Sequence, residues 1–111
     1  MEKKEFYVLH SDVCKTLANP KRQEILDCLR KTEMTVNELV KKTGISQANL
    51  SQHLAILRAK GIVTAQRKGA NVWYSLSNSK IIKAFDLISE VLQDSLNAQS
   101  KAVNTAVRHK P

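Results

Sequence analysis

The middle of this chain contains no acidic residue. Between Leu39 and Phe85 there is no Asp or Glu, although about four of the ten acids would fall there if they were evenly spread. The same stretch carries the basic residues Lys41, Lys42, Arg58, Lys60, Arg67, Lys68, Lys80 and Lys83. Positive charges that are clustered without acids repel one another unless they bind a polyanion. Within a net charge of +8, this placement therefore indicates a nucleic-acid partner. The alternative is a basic face that only keeps the protein in solution.

Other features are scarce, and each scarcity argues against a class of protein. Five aromatic residues leave little material for a base-stacking platform that binds single strands. With three glycines there is no phosphate-cradling loop, and we find no paired carboxylates in a cleft-forming context and no Ser-His-Asp set, so we do not expect an enzyme. No apolar run approaches the roughly 18 residues of a membrane span, and no signal peptide is recognisable. We therefore expect a cytoplasmic protein with no membrane partner.

Apolar residues at steps of three and four, together with capping residues, predict two helices in the first third of the chain. The first covers Lys3 to Ala18, and its apolar stripe consists of Phe6, Leu9, Val13 and Leu17. Asn19 is a suitable N-cap and Pro20 a suitable first helical residue, so a second helix runs to about Lys31. The residues that it should bury are Ile25, Leu26 and Leu29.

Two further helices are joined through a glycine. Thr35 and Glu38 form a capping box that opens the third helix, which ends at Gly44. The fourth helix spans Ser46 to Lys60, and the stripe that it buries consists of Leu50, Leu54 and Leu57. Its other side is neutral and rich in hydrogen-bonding groups, which suits the reading of base edges in a major groove. The residues on that side are Gln47, Ala48, Asn49, Ser51 and Gln52. The pattern predicts a helix-turn-helix with the fourth helix as the recognition helix.

A β-hairpin is predicted directly after the recognition helix. Gly61 ends the helix, and the β-rich segments 62–66 and 72–76 flank the basic, turn-forming segment Arg67 to Asn71. A two-stranded ribbon at this place is a wing. Its tip charges would reach a phosphate backbone or an adjacent minor groove.

The last predicted helix, from Ser79 to about Leu96, carries more apolar surface than one side of a small domain covers. We therefore expect a two-fold homodimer through the first and last helices. The fold class is mainly α with a small β-hairpin, a winged helix-turn-helix in the order α-α-α-α-β-β-α. Residues 1–97 would form the DNA-binding and dimerisation domain, and residues 98–111 a polar, basic C-terminal tail that frays or weakly extends the last helix.

These motifs resemble a known family. The similar segments, between about Val13 and Leu92, are Leu17-Ala18-Asn19-Pro20-Lys21-Arg22, Thr35-Val36-Asn37-Glu38-Leu39, Ser46 to Leu54, Leu57-Arg58, Gly61-Ile62-Val63 and Arg67-Lys68-Gly69. They resemble the ArsR/SmtB family of winged-helix repressors. The resemblance implies a homodimeric transcriptional repressor that is released from its double-stranded DNA operator, which we expect to be an imperfect inverted repeat, when an inducer binds. The residues that it maps to DNA reading are Ser46, Gln47, Asn49, Ser51, Gln52 and His53, with Arg67 to Asn71 as the wing.

The usual metal sites of that family are not matched in this chain. Members with a cysteine pair before the recognition helix bind metals or arsenite, but here that helix reads Asn37-Glu38-Leu39-Val40. Other members place an Asp and a His two apart on the last helix, with a further His downstream, whereas here Asp86 is followed by Leu87-Ile88. We expect no metal at these sites and no cofactor. A metal at a non-standard site remains the alternative.

Two cysteines are the remaining effector candidates. Cys14 and Cys28 either fill a helix contact as small hydrophobic residues or form a thiol pair that senses oxidant, reactive sulfur or a thiophilic ion. In members that the chain resembles, a second-helix cysteine pairs with a thiol on the last helix, which this chain lacks. His53 is expected to orient the recognition helix or to touch a phosphate, whereas His10 and His109 show no ligand spacing.

A competing interpretation is a winged-helix module that binds proteins and has no role on DNA. Protein interfaces favour aromatic anchors, and the polar side of the predicted recognition helix has none. At the start of the second helix, Lys21 and Arg22 sit unfavourably for the helix dipole, and a phosphate contact would explain them. The sequence therefore favours a DNA-binding regulator.

Overall fold

The computed structural model describes the backbone of residues 1–108 and the side chains as far as Val103. In chain order the elements are α1 (Lys3–Leu17), α2 (Pro20–Cys28), β1 (Met34–Thr35), α3 (Val36–Thr43), α4 (Gln47–Ala59), β2 (Val63–Lys68), β3 (Asn71–Leu76) and α5 (Lys80–Arg108). They fall into two units, one made of residues 1–79 and the other beginning at Lys80. The predicted mainly α, winged helix-turn-helix fold is confirmed.

The core of the first unit is built from the apolar stripes of α2, α3 and α4. Ile25, Leu39, Leu50, Leu54 and Leu57 are all at most 1% exposed. Burying one such side chain is worth about 1.5–3 kcal/mol, so this set outweighs any single surface contact of the domain. The stripes predicted for α2 and α4 are therefore confirmed.

Capping residues set the helix limits. The side chain of Asn19 accepts hydrogen bonds from the backbone N–H groups of Lys21 and Arg22, and Thr35 Oγ1 accepts one from the N–H of Glu38. The α2 helix ends at Cys28, before the predicted end near Lys31. The last turn tightens, because the N–H of Arg30 bonds to Asp27 O, three residues back, at 3.2 Å, and β1 begins at Met34.

The sheet has three strands in the order β1-β3-β2, whereas the sequence predicts only a two-stranded ribbon. The additional strand, β1, pairs Thr35 with Trp73 and is too short for a period-two pattern to show. Lys68 and Asn71 form the last pair of the hairpin, so the turn is Gly69-Ala70 and not the predicted five-residue tip. Gly69 has a φ of +63°, as a tight two-residue hairpin turn requires.

The α5 helix continues to Arg108, well past the predicted end near Leu96. The first part of the predicted tail is thus helical, and residues 109–111, with His109, lie outside the described residues. On α5, Ile88 and Leu92 are 70% and 59% exposed, and on α1, Phe6 is 52% exposed. In the described part of the chain, no helix is long and apolar enough to cross a membrane.

Candidate nucleic-acid interface

The orientation of α4 is fixed by its leucines. Leu50, Leu54 and Leu57 lie in the core, so the opposite side of the helix must face solvent. At the helix start, Ser46 Oγ accepts a hydrogen bond from the backbone N–H of Asn49 at 3.3 Å. At the other end, Gly61 N–H donates to Arg58 O and Ile62 N–H to Leu57 O, at 3.0 and 2.9 Å, which is a Schellman motif.

A short turn fixes α4 relative to α3. Gly44 has a φ of +73° and donates its N–H to Val40 O at 2.8 Å, which ends α3. Thr43 Oγ1 then accepts the N–H of Ile45, whose side chain is buried. A left-handed glycine, a local hydrogen bond and an apolar anchor together set the angle between the two helices.

The exposed side of α4 holds the residues that the sequence assigns to base reading. Ser46, Gln47, Ala48, Asn49, Ser51 and Gln52 are all exposed. Among the described residues, the side chains of Gln47, Asn49 and Gln52 make no hydrogen bond. Their amide donors and acceptors are therefore available to a ligand, and amides of this kind pair with adenine edges in a major groove.

The two basic side chains near the hairpin turn, Arg67 and Lys68, differ in their contacts. Arg67 and Asn71 are exposed near the turn, and within the described part of the chain Arg67 contacts only Gly69 O, at 3.5 Å. Lys68 Nζ is ion-paired with Glu33 Oε1 at 2.5 Å. Because an ion pair with this much exposure contributes at most about 1 kcal/mol, Lys68 can exchange Glu33 for another anion at little cost.

His53 is less exposed than the other residues assigned to DNA reading on α4. It is half-buried, and its Nδ1 accepts a hydrogen bond from Arg22 Nε at 3.3 Å. Burial, and then the charges of Arg22 and Lys21, lower the pKa of His53 from its ordinary value of 6.5. Arg22 also donates to Thr16 O, so its guanidinium is held within the protein. These contacts fit the expectation that His53 orients the recognition helix, and a phosphate contact of Arg22 stays a prediction.

The comparisons with known proteins bear on this geometry. A model of the arsR family of bacterial regulatory proteins matches residues 19–65, from the N-cap of α2 into β2. The nodulation protein NolR of Rhizobium meliloti is 39% identical over 97 residues, which cover 87% of this chain and 80% of NolR. The chain belongs to the ArsR family. Several of its relatives are named as transcriptional regulators, so the expectation that the chain is not an enzyme is confirmed.

Solved structures agree with this ArsR-family assignment. The crystal structure of Rv0081 from Mycobacterium tuberculosis has a TM-score of 0.79 and 34% identity, with 89% of this chain and 98% of that chain covered. A solution structure of Mb0332 from Mycobacterium bovis has a TM-score of 0.76 and 27% identity, with 88% and 93% covered. It is described as a homodimeric winged helix-turn-helix DNA-binding domain. Named relatives include several transcriptional repressors and a transcriptional activator.

The two cysteines of this ArsR-family chain have different surroundings. Cys14 is exposed, with its Sγ 3.5 Å from His10 Nδ1, so within the single chain it does not fill a core contact. Cys28 is half-buried, and burial, followed by the charges of Asp27 and Glu24, raises the pKa of its thiol. Both thiols are free. Among the residues described, no group of three or more His, Cys, Asp or Glu side chains is arranged to hold a metal ion.

Two contacts of this interface are not visible in the sequence. Arg22 joins His53 across 31 positions, and Lys68 joins Glu33 across 35. Single charged residues at such separations carry no periodic signal. In the sequence, the one indication is the unfavourable position of Arg22 at a helix start, and that position by itself favours a phosphate contact.

Proposed function

We propose that this ArsR-family chain is a homodimeric, sequence-specific DNA-binding repressor that acts in the cytoplasm and leaves its operator when an inducer binds. The observation that carries the proposal is the exposed side of α4, where side-chain amides without partners stand in a stretch that has no acidic residue. Free amides supply base recognition, and the basic surroundings supply attraction to phosphates. A module that binds proteins would instead favour aromatic anchors, and the exposed side of α4 has none.

Homodimerisation is supported by apolar side chains that are exposed to solvent in the single chain. On α1, Phe6, Leu9 and Val13 are 52%, 55% and 40% exposed, and on α5, Ile88 and Leu92 are exposed further still. An apolar stripe of this kind on a soluble domain marks an interaction surface. Two copies related by a two-fold axis would present two recognition helices to successive major grooves, which an inverted repeat matches.

DNA binding is tested by selecting duplexes from a random-sequence pool and by a mobility shift with DNA from upstream of the protein's own gene. We expect an imperfect inverted repeat with half-sites about one helical turn apart. Replacing Gln47 and Gln52 by Ala should abolish selectivity between the selected and a scrambled duplex, with folding intact. The control is Gln99→Ala, a change of the same kind at an exposed position of α5. No selected sequence, or equal effects of the two variants, would contradict the proposal.

The dimer is tested by light scattering coupled to size-exclusion chromatography. The measured mass of the wild-type protein should be twice that of one chain. Leu92→Glu places a charge in the apolar stripe of α5, so its measured mass should shift towards that of the monomer. Asn97→Glu adds the same charge at an exposed polar position of that helix and should leave the mass unchanged. A wild-type monomer at micromolar concentration would refute the dimer.

Thiol control of the repressor is a separate part of the proposal. The exposed thiol of Cys14 is the accessible one, whereas the raised pKa of Cys28 keeps that thiol protonated at neutral pH and therefore less reactive. Peroxide would convert Cys14 to a sulfenic acid with release of water. Operator binding that falls with peroxide in the wild type and in Cys28→Ser, but not in Cys14→Ser, would support this role. Unchanged binding in all three proteins would remove it.

Repression of transcription would follow directly from binding to an operator that overlaps a promoter. A dimer that occupies an operator at a promoter blocks transcription without further contacts, so a reporter gene behind the selected operator should become active when the protein is deleted. Activity that falls on deletion would identify an activator, the other role named among the relatives.

A further inference from the structure

The C-terminal half of the recognition helix borders a groove of about 450 Å³. It is lined by Ser51, Leu54, Ala55, Arg58 and Ala59 from α4 and by Tyr74 from β3. Ser51, Ala55 and Arg58 follow one another at steps of four and three, so they lie along one face of the helix. Ser51 is also one of the exposed residues assigned to base reading. The groove therefore continues the reading side of α4 towards the sheet.

Arg58 has no ion-pair partner among the described residues, unlike Lys60 and Lys68. Lys60, two residues later, is ion-paired with Asp12 at 2.6 Å, and Lys68 is ion-paired with Glu33. For Arg58 the described residues provide neither a carboxylate within ion-pairing distance nor a hydrogen bond, and its side chain is exposed. The sequence has no acid between Leu39 and Phe85 that would neutralise it locally. The groove thus holds an uncompensated guanidinium beside a serine and a tyrosine.

The distances along the helix suit one occupant. Arg58 follows Ser51 by seven residues, which is about 10 Å at the rise of an α-helix. A recognition helix meets base edges with its N-terminal residues, so a side chain two turns further along lies closer to the sugar-phosphate wall of the groove. Guanidinium and hydroxyl groups are the usual partners of phosphate oxygens.

We infer that the groove between α4 and Tyr74 seats a phosphodiester of the duplex, with Arg58 as its charged ligand and Ser51 and Tyr74 beside it. The inference rests on the proposed DNA-binding function and assigns it a phosphate site that fixes how deeply α4 enters the groove. Arg58 and Tyr74 position the reading residues and carry no sequence information themselves.

The test measures affinity for a duplex selected by the wild-type protein, between about 50 and 200 mM salt. Each lost phosphate contact lowers the magnitude of the slope of log K against log salt by about 0.9, so Arg58→Gln should lower it by about 1.8 in a dimer. Arg58→Lys, which keeps the charge, should restore the slope. Lys4→Gln removes an exposed charge from α1 as the matched control and should leave the slope unchanged.

A second variant distinguishes a phosphate seated in the groove from the long-range attraction of DNA to the charge of Arg58. Ala55→Leu fills the groove without changing any charge, and leucine is a good helix former at this exposed position. It should reduce affinity at least tenfold and lower the slope as Arg58→Gln does, whereas Ala98→Leu on α5 should do neither. Circular dichroism of each variant checks that the helices remain.

The outcomes distinguish this site from the proposed function. If no duplex is selected, DNA binding and the phosphate site fail together. If a duplex is selected but Arg58→Gln keeps the wild-type slope, or Ala55→Leu keeps the wild-type affinity, DNA binding stands and the phosphate site is wrong. Saturable binding of inorganic phosphate that is lost in Arg58→Gln, with no change of the DNA slope, would assign the groove to a small anion and overturn the inference.

Discussion

The Nε atom of Arg22 donates a hydrogen bond to Nδ1 of His53 at 3.3 Å, and this contact ties the start of α2 to the recognition helix. Through Nη1 the same guanidinium donates to Thr16 O at 3.1 Å, so one side chain joins α1, α2 and α4. Gln23 Nε2 reinforces the link by donating to Leu17 O at 2.9 Å. The end of α1 and the reading helix are thus held through one hydrogen-bonded cluster.

Replacing Arg22 by Ala should lower the free energy of unfolding by about 1–3 kcal/mol, because two hydrogen bonds are lost and their acceptors remain partly buried. Arg22→Lys should recover only part of this loss, since an ammonium group lacks the planar fork. Urea denaturation measures the effect. Lys21→Ala, at the exposed neighbouring position, is the control, and equal losses in the two alanine variants would show that the cluster contributes nothing specific.

The stability of the protein should fall as the pH falls below the ordinary histidine range. The pKa of His53 is lower in the folded chain than its usual 6.5, so the unfolded chain binds more protons in this interval. The contribution of neutral His53 is complete above pH 6.5 and is lost as the pH falls towards the lower, folded pKa. The melting temperature of the wild type, relative to His53→Gln, should decrease in that window, and an imidazole titration by NMR with a midpoint at or above 6.5 would contradict this.

Gly44, in the turn between α3 and α4, should be sensitive to substitution because of its backbone conformation. Its φ of +73° strains any residue with a Cβ, although no atom lies within 4 Å of where that Cβ would be. Gly44→Ala should therefore cost about 1–2 kcal/mol through backbone strain alone. Gly44→Asn should cost less, because asparagine tolerates the left-handed region. Thermal unfolding of both variants tests this, and equal losses would point to a steric cause.

Glu33 should weaken DNA binding, because it holds Lys68 in an ion pair. Glu33→Gln frees that charge and removes a negative one from the vicinity of the hairpin, so affinity for a selected duplex should rise several-fold at low salt. Glu5→Gln removes an equal charge from an exposed position of α1 and should have a smaller effect. The measurement is a fluorescence anisotropy titration, and lower affinity of Glu33→Gln would mean that the ion pair organises the wing for binding.

The strong predictions from sequence concern elements whose signals are local. Ser46 caps α4, Thr35 caps α3 and Gly44 ends α3, as their side chains or conformational freedom require. The sequence is less informative where the length or existence of an element depends on a partner that is distant along the chain. The two-residue strand β1 exists only because Trp73 and Tyr74 pair with it, and the hairpin turn is shorter than predicted because strand pairing extends to Lys68 and Asn71.

The order of the amino acids alone predicts a recognition helix with a leucine stripe on one side and hydrogen-bonding groups on the other, in a stretch that lacks acids. Helical periodicity and charge are properties of neighbouring residues, so they can be read directly. The folded chain is needed to show that His53 accepts a hydrogen bond from Arg22 and that a groove opens beside Tyr74. It also shows that Lys68 has an ion-pair partner, whereas Arg58 has none among the described residues. These depend on which distant side chains the packing of the buried leucines brings within a few ångströms of one another.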